Sequence, residues 1–154
     1  MEIWHWECDT VVSWKDGKWW IVTMVDRKSR YEMMMKVKDL RGITVWKAMK
    51  KMIEWKIVKS LKIDNWSEFS KIRSFKRKWI KIYRCHAYSS WEKWTNERHN
   101  WIIRWWIPKG YDISLIDEES ITKIEMLLNH KPRKILWYRT PYEVYHSIDL
   151  KYFN

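Results

Sequence analysis

The pattern of hydrophobic and polar positions predicts three strands at the start of the chain. Trp4–Ser13 alternates between apolar and polar side chains and contains β-branched residues, as strands do. The apolar run Trp20–Val25 and the segment Tyr31–Val37 predict two further strands, with turn signals at Asp16-Gly17 and Asp26–Ser29 between them. Because the connections are short, the three strands are expected to form an antiparallel meander.

After these strands the hydrophobic period changes to that of a helix. Val45, Met49 and Met52 recur at helical spacing, which predicts a helix from Thr44 to about Lys56. Short apolar runs and helical patterns then alternate along the rest of the chain. They predict strands at Val58–Ile63 and Ile80–Cys85, and helices at Ser67–Arg77, from Ser89/Ser90 to about Trp106, and at Ser120–Asn129. This order predicts an α/β fold with a mixed sheet.

Composition and charge narrow the functional classes. The chain has 154 residues, the size of one domain, and its 46% hydrophobic content excludes intrinsic disorder. Lysine and arginine number 31 against 19 acids, a net charge of +12 that favours a polyanionic partner. The sequence contains neither a membrane-spanning apolar stretch nor a secretory signal, and two cysteines make no disulfide framework. The two cysteines fit a reducing interior, and we therefore expect a cytoplasmic protein.

Three carboxylates stand where a catalytic site would form. Asp9 lies within the first predicted strand, Asp64 at the carboxyl end of the fourth, and Glu97 within a predicted helix. An acid inside a strand is costly unless it is paired or binds a metal, and sites in such sheets gather at the carboxyl ends of strands. Together the three would make an oxygen-lined pocket for Mg²⁺ or Mn²⁺. From spacing alone, the alternatives are a strand-edge acid, a turn residue and a helix-surface ion pair, respectively.

Several segments, in order along nearly the whole chain, resemble those of one protein family. Trp6–Val12 resembles the segment W-E-x-D-T-V/I of integrase-type transposases, and Val25–Tyr31 is similar to their V-D-R-K-S-R-Y. Ile63–Phe69 resembles D-N-G-x-E-F, and Ala87–Glu97 resembles P-Y-S-S-W-E-R-G-T-N-E. Similar segments at Ile107–Gly110 and Asn129–Lys134 complete the set. The chain thus resembles the catalytic core of a DDE transposase of the insertion-sequence-thirty family.

This resemblance implies a ribonuclease-H-like fold, shared with retroviral integrases, with helices on both faces of the sheet. By motif position, the family's catalytic, metal-binding acids fall on Asp9, Asp64 and Glu97, the same acids selected above. The implied activity is DNA cleavage and strand transfer with two bound Mg²⁺ or Mn²⁺ ions, acting on element ends and target DNA in a homo-oligomeric complex. Residues 1–154 would form the catalytic core, and we expect it to lack the family's N-terminal helix-turn-helix region. When bound to DNA, the protein would associate with the nucleoid.

Basic side chains near these acids are candidates for contacts with DNA phosphates. The helix of Glu97 would present a polar stripe to the strand ends, whereas the alternative has Trp94, Trp101 and Trp105 facing the core. Glu68 and Asn96 are candidates for supporting the metal ligands. The candidate DNA-binding residues, whose alternative is a solvated helix face, are Lys71, Arg73, Lys76, Arg77, Lys78, Lys93, Asn100 and Arg104.

Glycine is scarce and tryptophan abundant, with 3 and 15 residues respectively. Trp66, Trp94, Trp101 and Trp137 stand where the resembled family usually has glycine. We hypothesise that many of these tryptophans are UGA codons that the source organism reads as glycine; the alternative is a protein with a Trp-rich surface.

Two other functions compete with that of an active transposase core. One is an inactive relict DNA-binding fragment of a decayed insertion element. The other is a basic, Trp-rich protein acting at membrane surfaces, which would need a helix with a tryptophan face opposite a basic face. The scatter of the tryptophans over predicted strands and turns disfavours it.

Overall fold

The structure, a computed structural model, describes residues 4–12, 19–63, 80–84 and 100–149. Within these ranges the strands are β1 (His5–Val12), β2 (Trp20–Asp26), β3 (Glu32–Val37), β4 (Ser60–Ile63) and β5 (Lys81–Arg84). The helices are α1 (Gly42–Met52), α2 (described over residues 100–106), α3 (Glu118–His130) and α4 (Pro141–Asp149), with short 3₁₀ helices at Ile113–Leu115 and Lys134–Leu136.

The five strands form one mixed sheet in the order β3-β2-β1-β4-β5. β1, β2 and β3 are antiparallel neighbours, whereas β4 and β5 run parallel to β1. Five strands with these directions confirm the predicted mixed sheet, and β1 is its central strand. In the register, Asp9 pairs with Thr23 of β2, and Cys8 pairs with Ile63 of β4.

Helices cover both faces of the sheet, as the resemblance implied. Alternate side chains of β1 point to opposite faces, so Trp6 and Cys8 pack in one cluster and Val11 packs in the other. The first cluster includes buried residues of α1 and α4, such as Met49 and Tyr145. The second is completed by α2 and α3, through residues that include Ile103, Ile107, Ile121, Ile124 and Leu128.

The sequence predictions differ from the structure at two of the helices. α1 ends at Met52 rather than near Lys56, because the buried Ile53 is its C-cap and the chain then turns towards β4. α4 was not predicted at all. Its signal is a capping box, in which Thr140 Oγ1 accepts the Glu143 N–H at 3.1 Å and Glu143 Oε2 accepts the Thr140 N–H at 2.8 Å. Pro141 stands at its first helical position.

The outer edge of β3 is covered by side chains of α3. Asn129 Oδ1 accepts the Glu32 N–H, and Asn129 Nδ2 donates to the Glu32 carbonyl, both at 2.8 Å. One turn earlier on α3, Glu125 Oε2 accepts the Met34 N–H at 2.7 Å. The spacing matches, since four helix residues advance about 6 Å and two strand residues advance about 7 Å. An edge that would otherwise be open to another strand is thereby closed.

The predicted helix Ser67–Arg77 and the first part of the helix that ends near Trp106 lie outside the described residues. Within the described ranges, none of the helices combines the length and apolar character needed to cross a bilayer.

Candidate active site

Asp9 projects from the central strand towards the face covered by α2 and α3, and its side chain is half-buried. Its Oδ1 accepts the N–H of Thr10 at 2.8 Å. The neighbouring strand contributes Thr23, whose Oγ1 donates to the Asp9 carbonyl oxygen at 3.3 Å. The carboxylate is therefore held in a defined orientation in the second half of β1, just past the last residue of β1 that pairs with β4.

Asn100 joins α2 to this carboxylate. Its Nδ2 donates to Asp9 Oδ2 at 2.8 Å, across 91 residues of sequence. The helix is held in place by Ile103 and Ile107, three and seven residues further on, which are fully buried in the cluster that includes Val11. Asn100 and these isoleucines lie on one stripe of the helix, so burial of the apolar part brings the amide to the site.

The orientation of α2 decides between the two sequence alternatives for its described part. Trp101 is 59% exposed and Trp105 is 66% exposed, so these indole rings do not face the core. Asn100 faces Asp9, as the polar-stripe prediction required. Arg104, one turn after Asn100, is half-buried, and this desolvation lowers the pKa of its guanidinium.

The sheet register bears on the second predicted acid. Cys8 and Ile63 are paired residues on neighbouring parallel strands, and Asp9 and Asp64 are the next residues of the two chains in sequence. Asp64 and Glu97 themselves lie outside the described residues. So do the other sequence-predicted site residues Glu68, Lys71, Arg73, Lys76, Arg77, Lys78, Lys93 and Asn96.

Glu7 is a buried acid that sequence analysis did not single out. It lies two residues before Asp9 on the same face of β1, and its side chain is only 4% exposed. Its Oε1 is 3.1 Å from Arg27 Nε and 3.7 Å from Lys62 Nζ. The sequence signal that could have identified Glu7 is strand alternation, because residues two apart in a strand share a face. Lys62 belongs to β4 and Arg27 directly follows β2, so Glu7 links β1 to both neighbouring strands.

Within the segment Val25–Tyr31, the side chain of Asp26 organises the turn that follows β2. Asp26 Oδ1 accepts the Ser29 N–H at 2.8 Å and the Ser29 hydroxyl at 2.7 Å. Its Oδ2 accepts the Trp4 N–H at 2.9 Å, which fixes the start of β1. This segment thus organises the end of the sheet that lies opposite Asp9.

The donor types near Asp9 suit a hard divalent cation. The Asp9 carboxylate and the Asn100 amide offer oxygen, the ligand that Mg²⁺ and Mn²⁺ prefer. The neighbouring Cys8 thiol packs in the cluster on the opposite face, and burial, with the charges of Asp9 and Glu7, raises its pKa. It therefore offers no thiolate to a softer metal. Among the described residues, no three His, Cys, Asp or Glu side chains converge as a metal site.

Comparisons with known proteins give relatives over most of the chain. It is 37% identical over 147 residues to the transposase for insertion sequence element IS4351 of Bacteroides fragilis, covering 92% of this chain and 44% of that protein. It is 31% identical over 144 residues to the transposase InsI for insertion sequence element IS30C of Escherichia coli, covering 91% and 37% respectively. The chain thus spans less than half the length of these relatives. No protein-family model matches it.

Solved structures share the fold. The catalytic core domain of BIV integrase superposes with a TM-score of 0.77 at 20% identity, covering 98% of this chain and 99% of that one. A chain of the simian T-cell lymphotropic virus intasome in complex with PP2A regulatory subunit B56 gamma gives a TM-score of 0.73 at 13% identity, covering 92% and 54%. Sequence and fold agree: over most of its length the chain is similar to insertion-sequence transposases, among them those of the insertion-sequence-thirty family, and it has the fold of a retroviral integrase catalytic core.

Proposed function

We propose that this chain is the catalytic core of a DNA transposase that carries out divalent-metal-dependent phosphodiester cleavage and strand transfer. The observation that carries the proposal is the hydrogen bond between Asn100 and Asp9. It brings α2 against the carboxyl end of the central strand. Glu97 precedes Asn100 by three residues, and Asp64 directly follows the strand residue paired with Cys8. The proposed catalytic and metal-binding set is therefore Asp9, Asp64 and Glu97.

Mg²⁺ or Mn²⁺, when bound, would neutralise charge developing on the phosphate and activate the attacking hydroxyl. The chain's own task is positioning, because phosphoryl transfer needs little covalent help from the protein. Thr10 and Asn100 hold the two oxygens of the Asp9 carboxylate in fixed directions. We assign Glu68 and Asn96 the same supporting task for the other two acids.

The proposed substrate is DNA, both the element ends and the target. Phosphate contacts fix the position of a protein on a duplex without reading sequence. In this proposal they come from the segment after β4 and from the helix of Glu97, through Lys71, Arg73, Lys76, Arg77, Lys78, Lys93, Asn100 and Arg104. The active complex would be a homo-oligomer in the bacterial cytoplasm, where the nucleoid supplies the DNA.

The test is a nicking and strand-transfer assay on supercoiled DNA with the full chain. Wild type is expected to nick DNA in Mg²⁺ or Mn²⁺ and to lose this activity in a chelator. Asp9→Asn should reduce nicking to background with an unchanged unfolding transition, because a neutral amide no longer supplies the charge that holds the cations.

Asp112→Asn is the matched control, since this exposed aspartate caps a short 3₁₀ helix through Ser114 and its amide replacement can do the same. Nicking that persists in Asp9→Asn would contradict the site. A wild-type chain that binds DNA but never cleaves it in either metal would instead identify a relict DNA-binding fragment.

A further inference from the structure

The end of the sheet opposite Asp9 carries a separate basic surface. The strand directions place the starts of β1, β4 and β5 at this end, because His5 pairs with Ser60 and Ser60 pairs with Lys81. The turn that follows β2 lies there too, since Trp6 pairs with Asp26. α1 runs from the end of β3 back towards the start of β4, so its last turn also lies at this end of the sheet.

Lysines crowd this end. We define the distal basic surface by Lys28 in the turn after β2, by the last turn of α1 and the segment leading to β4, and by the start of β5. All of its lysines are exposed except the half-buried Lys56, and the set is Lys28, Lys50, Lys51, Lys56, Lys59 and Lys81.

Fewer carboxylates than lysines lie in the same segments. Within residues 26–31, 50–60 and 81, which carry the distal basic surface, the exposed carboxylate is Glu54, and the partly buried Glu125 of α3 lies near Lys56. Asp26 is buried and accepts hydrogen bonds from its own turn. Glu7 is also buried and is already paired with Arg27 and Lys62. The surface therefore presents a net positive charge to solvent.

Aromatic rings hold some of these lysines without cancelling their charge. Lys56 Nζ lies 5.3 Å from the centroid of the Tyr31 ring and 5.1 Å from that of Tyr145. Lys59 Nζ lies 4.7 Å from the centroid of the Trp4 ring. Cation–π contacts order the long side chains but leave the positive charge in place, so less entropy is lost when an anion binds.

The distal basic surface and the carboxyl end of β1 face different directions, so we expect that one straight duplex does not serve both. His5 and Asp9 are four strand residues apart, which is roughly 13 Å along β1, and the two ends of the sheet face away from each other. DNA is stiff over about 150 base pairs. A straight duplex lying across the carboxyl end of β1 therefore does not reach the lysines at the other end.

We propose that the distal basic surface binds the phosphate backbone of a second DNA duplex, distinct from the one at Asp9. That the partner is DNA rests on the proposed function, but the distal basic surface contains none of the proposed catalytic acids. Regularly spaced phosphates match a broad lysine surface, and such contacts are independent of sequence. One chain would thereby hold two DNA segments at opposite ends of its sheet.

The experiment counts duplexes per chain by titrating the 154-residue chain with a short, uncleavable duplex at low salt. Wild type should take up more than one duplex per chain. The double variant Lys51→Ala/Lys81→Ala should weaken uptake of the second duplex by about fivefold or more, because each lost phosphate contact reduces counterion release. The matched control Lys109→Ala/Lys123→Ala removes the same charge from exposed positions elsewhere, and its second-duplex uptake should stay within twofold of wild type.

Further arms separate this proposal from its alternatives and from the proposed catalytic function. Equal loss in the control variant would show that only overall charge matters, which would overturn the site. Binding to anionic phospholipid vesicles that depends on Lys51 and Lys81, without second-duplex uptake, would overturn it in favour of a membrane. Wild type that cleaves DNA yet binds only one duplex refutes the distal surface alone. A chain that binds two duplexes but cleaves neither refutes the catalytic proposal alone.

Discussion

Asn100 and Asp9 are joined by a 2.8 Å hydrogen bond from the Asn100 amide to Asp9 Oδ2. Because Oδ1 already accepts the Thr10 N–H, this bond restrains the second oxygen of the carboxylate and fixes its plane. It is also a polar contact between α2 and the central strand. A single side chain thus couples the placement of the helix to the orientation of the first proposed metal ligand.

Asn100→Ala is expected to lower metal-dependent cleavage by about 10–100-fold, the usual effect of losing a group that orients a metal ligand. The Mg²⁺ concentration that gives half-maximal activity should rise, because the freed carboxylate must be ordered when the cation binds. A metal titration of the nicking rate measures both quantities. Asn100→Asp should be worse, since it places a second negative charge against Asp9 in place of a donor.

Trp101→Ala is the control for this prediction, because its side chain lies on the solvent side of the same helix. It should leave the half-maximal metal concentration unchanged. A shift of equal size in both variants would mean that α2 stability, rather than the bond to Asp9, determines the metal requirement.

DNA binding by the whole chain should be strong at low salt and nearly independent of sequence. If the proposed basic residues neutralise six to ten phosphates, affinity should fall by about 10³–10⁵-fold between roughly 50 and 200 mM salt. Fluorescence anisotropy with unrelated duplexes over this range measures the slope. A tight complex that ignores salt would contradict phosphate-based recognition.

Asn129→Ala should destabilise the protein without touching the proposed site. Asn129 is fully buried and satisfies both backbone groups of Glu32. Its loss leaves a buried N–H and a buried C=O without partners, at about 1–3 kcal/mol each. Urea unfolding should therefore show a loss of about 2–6 kcal/mol, whereas Met126→Ala, an exposed position of the same helix, should change little.

Glu125 makes part of the fold's stability depend on pH. Burial raises the pKa of its carboxyl above the ordinary value of 4.5, and the nearby Glu32 adds to this, against the Met34 N–H and Lys56. The folded state therefore binds more protons than the unfolded state as pH rises from about 4.5, so stability falls across that window. Above the raised pKa the folded state carries the full cost of the buried charge.

Glu125→Gln removes this titration and keeps an oxygen that can accept the Met34 N–H. Its stability should fall less than that of wild type as pH rises from about 4.5 to 7, and unfolding curves at several pH values measure the difference. Parallel pH profiles for Glu125→Gln and wild type would contradict the role given to burial.

Sequence patterns predicted most of the sheet, because alternation and β-branched residues in Trp4–Ser13 and Trp20–Val25 reflect burial on a pleated surface. They predicted Asp9 as a site residue because an acid inside such a strand is costly unless it is paired or binds a metal. Contacts between residues far apart in the sequence could not be predicted from these patterns. The Asn129 bond to Glu32 spans 97 residues and depends on where α3 docks. Glu7 was overlooked because its cations, Arg27 and Lys62, come from two other parts of the sheet.

The unusual tryptophans are linked to backbone geometry at Trp137. This residue follows the 3₁₀ helix Lys134–Leu136 with φ 55°, in the left-handed region, and its side chain is 89% exposed. Residues with a Cβ pay about 1–2 kcal/mol there, whereas glycine does not. The conformation is therefore one that favours glycine, as expected if this codon is a UGA read as glycine. Trp55 is also 91% exposed but is not among the residues with positive φ.

Trp137→Gly should therefore stabilise the chain, by about 0.5–1 kcal/mol after the greater entropy of glycine in the unfolded state is subtracted. Little packing is lost, because the indole faces solvent. Trp55→Gly isolates the entropy cost and should destabilise the protein by about 0.5–1 kcal/mol. Urea unfolding of wild type and both variants measures the two changes in the free energy of unfolding, which should have opposite signs. If both substitutions changed the free energy of unfolding in the same direction, the argument from the backbone conformation of Trp137 would fail. Separately, a UGG codon at position 137 in the gene would rule out the recoding hypothesis for this residue.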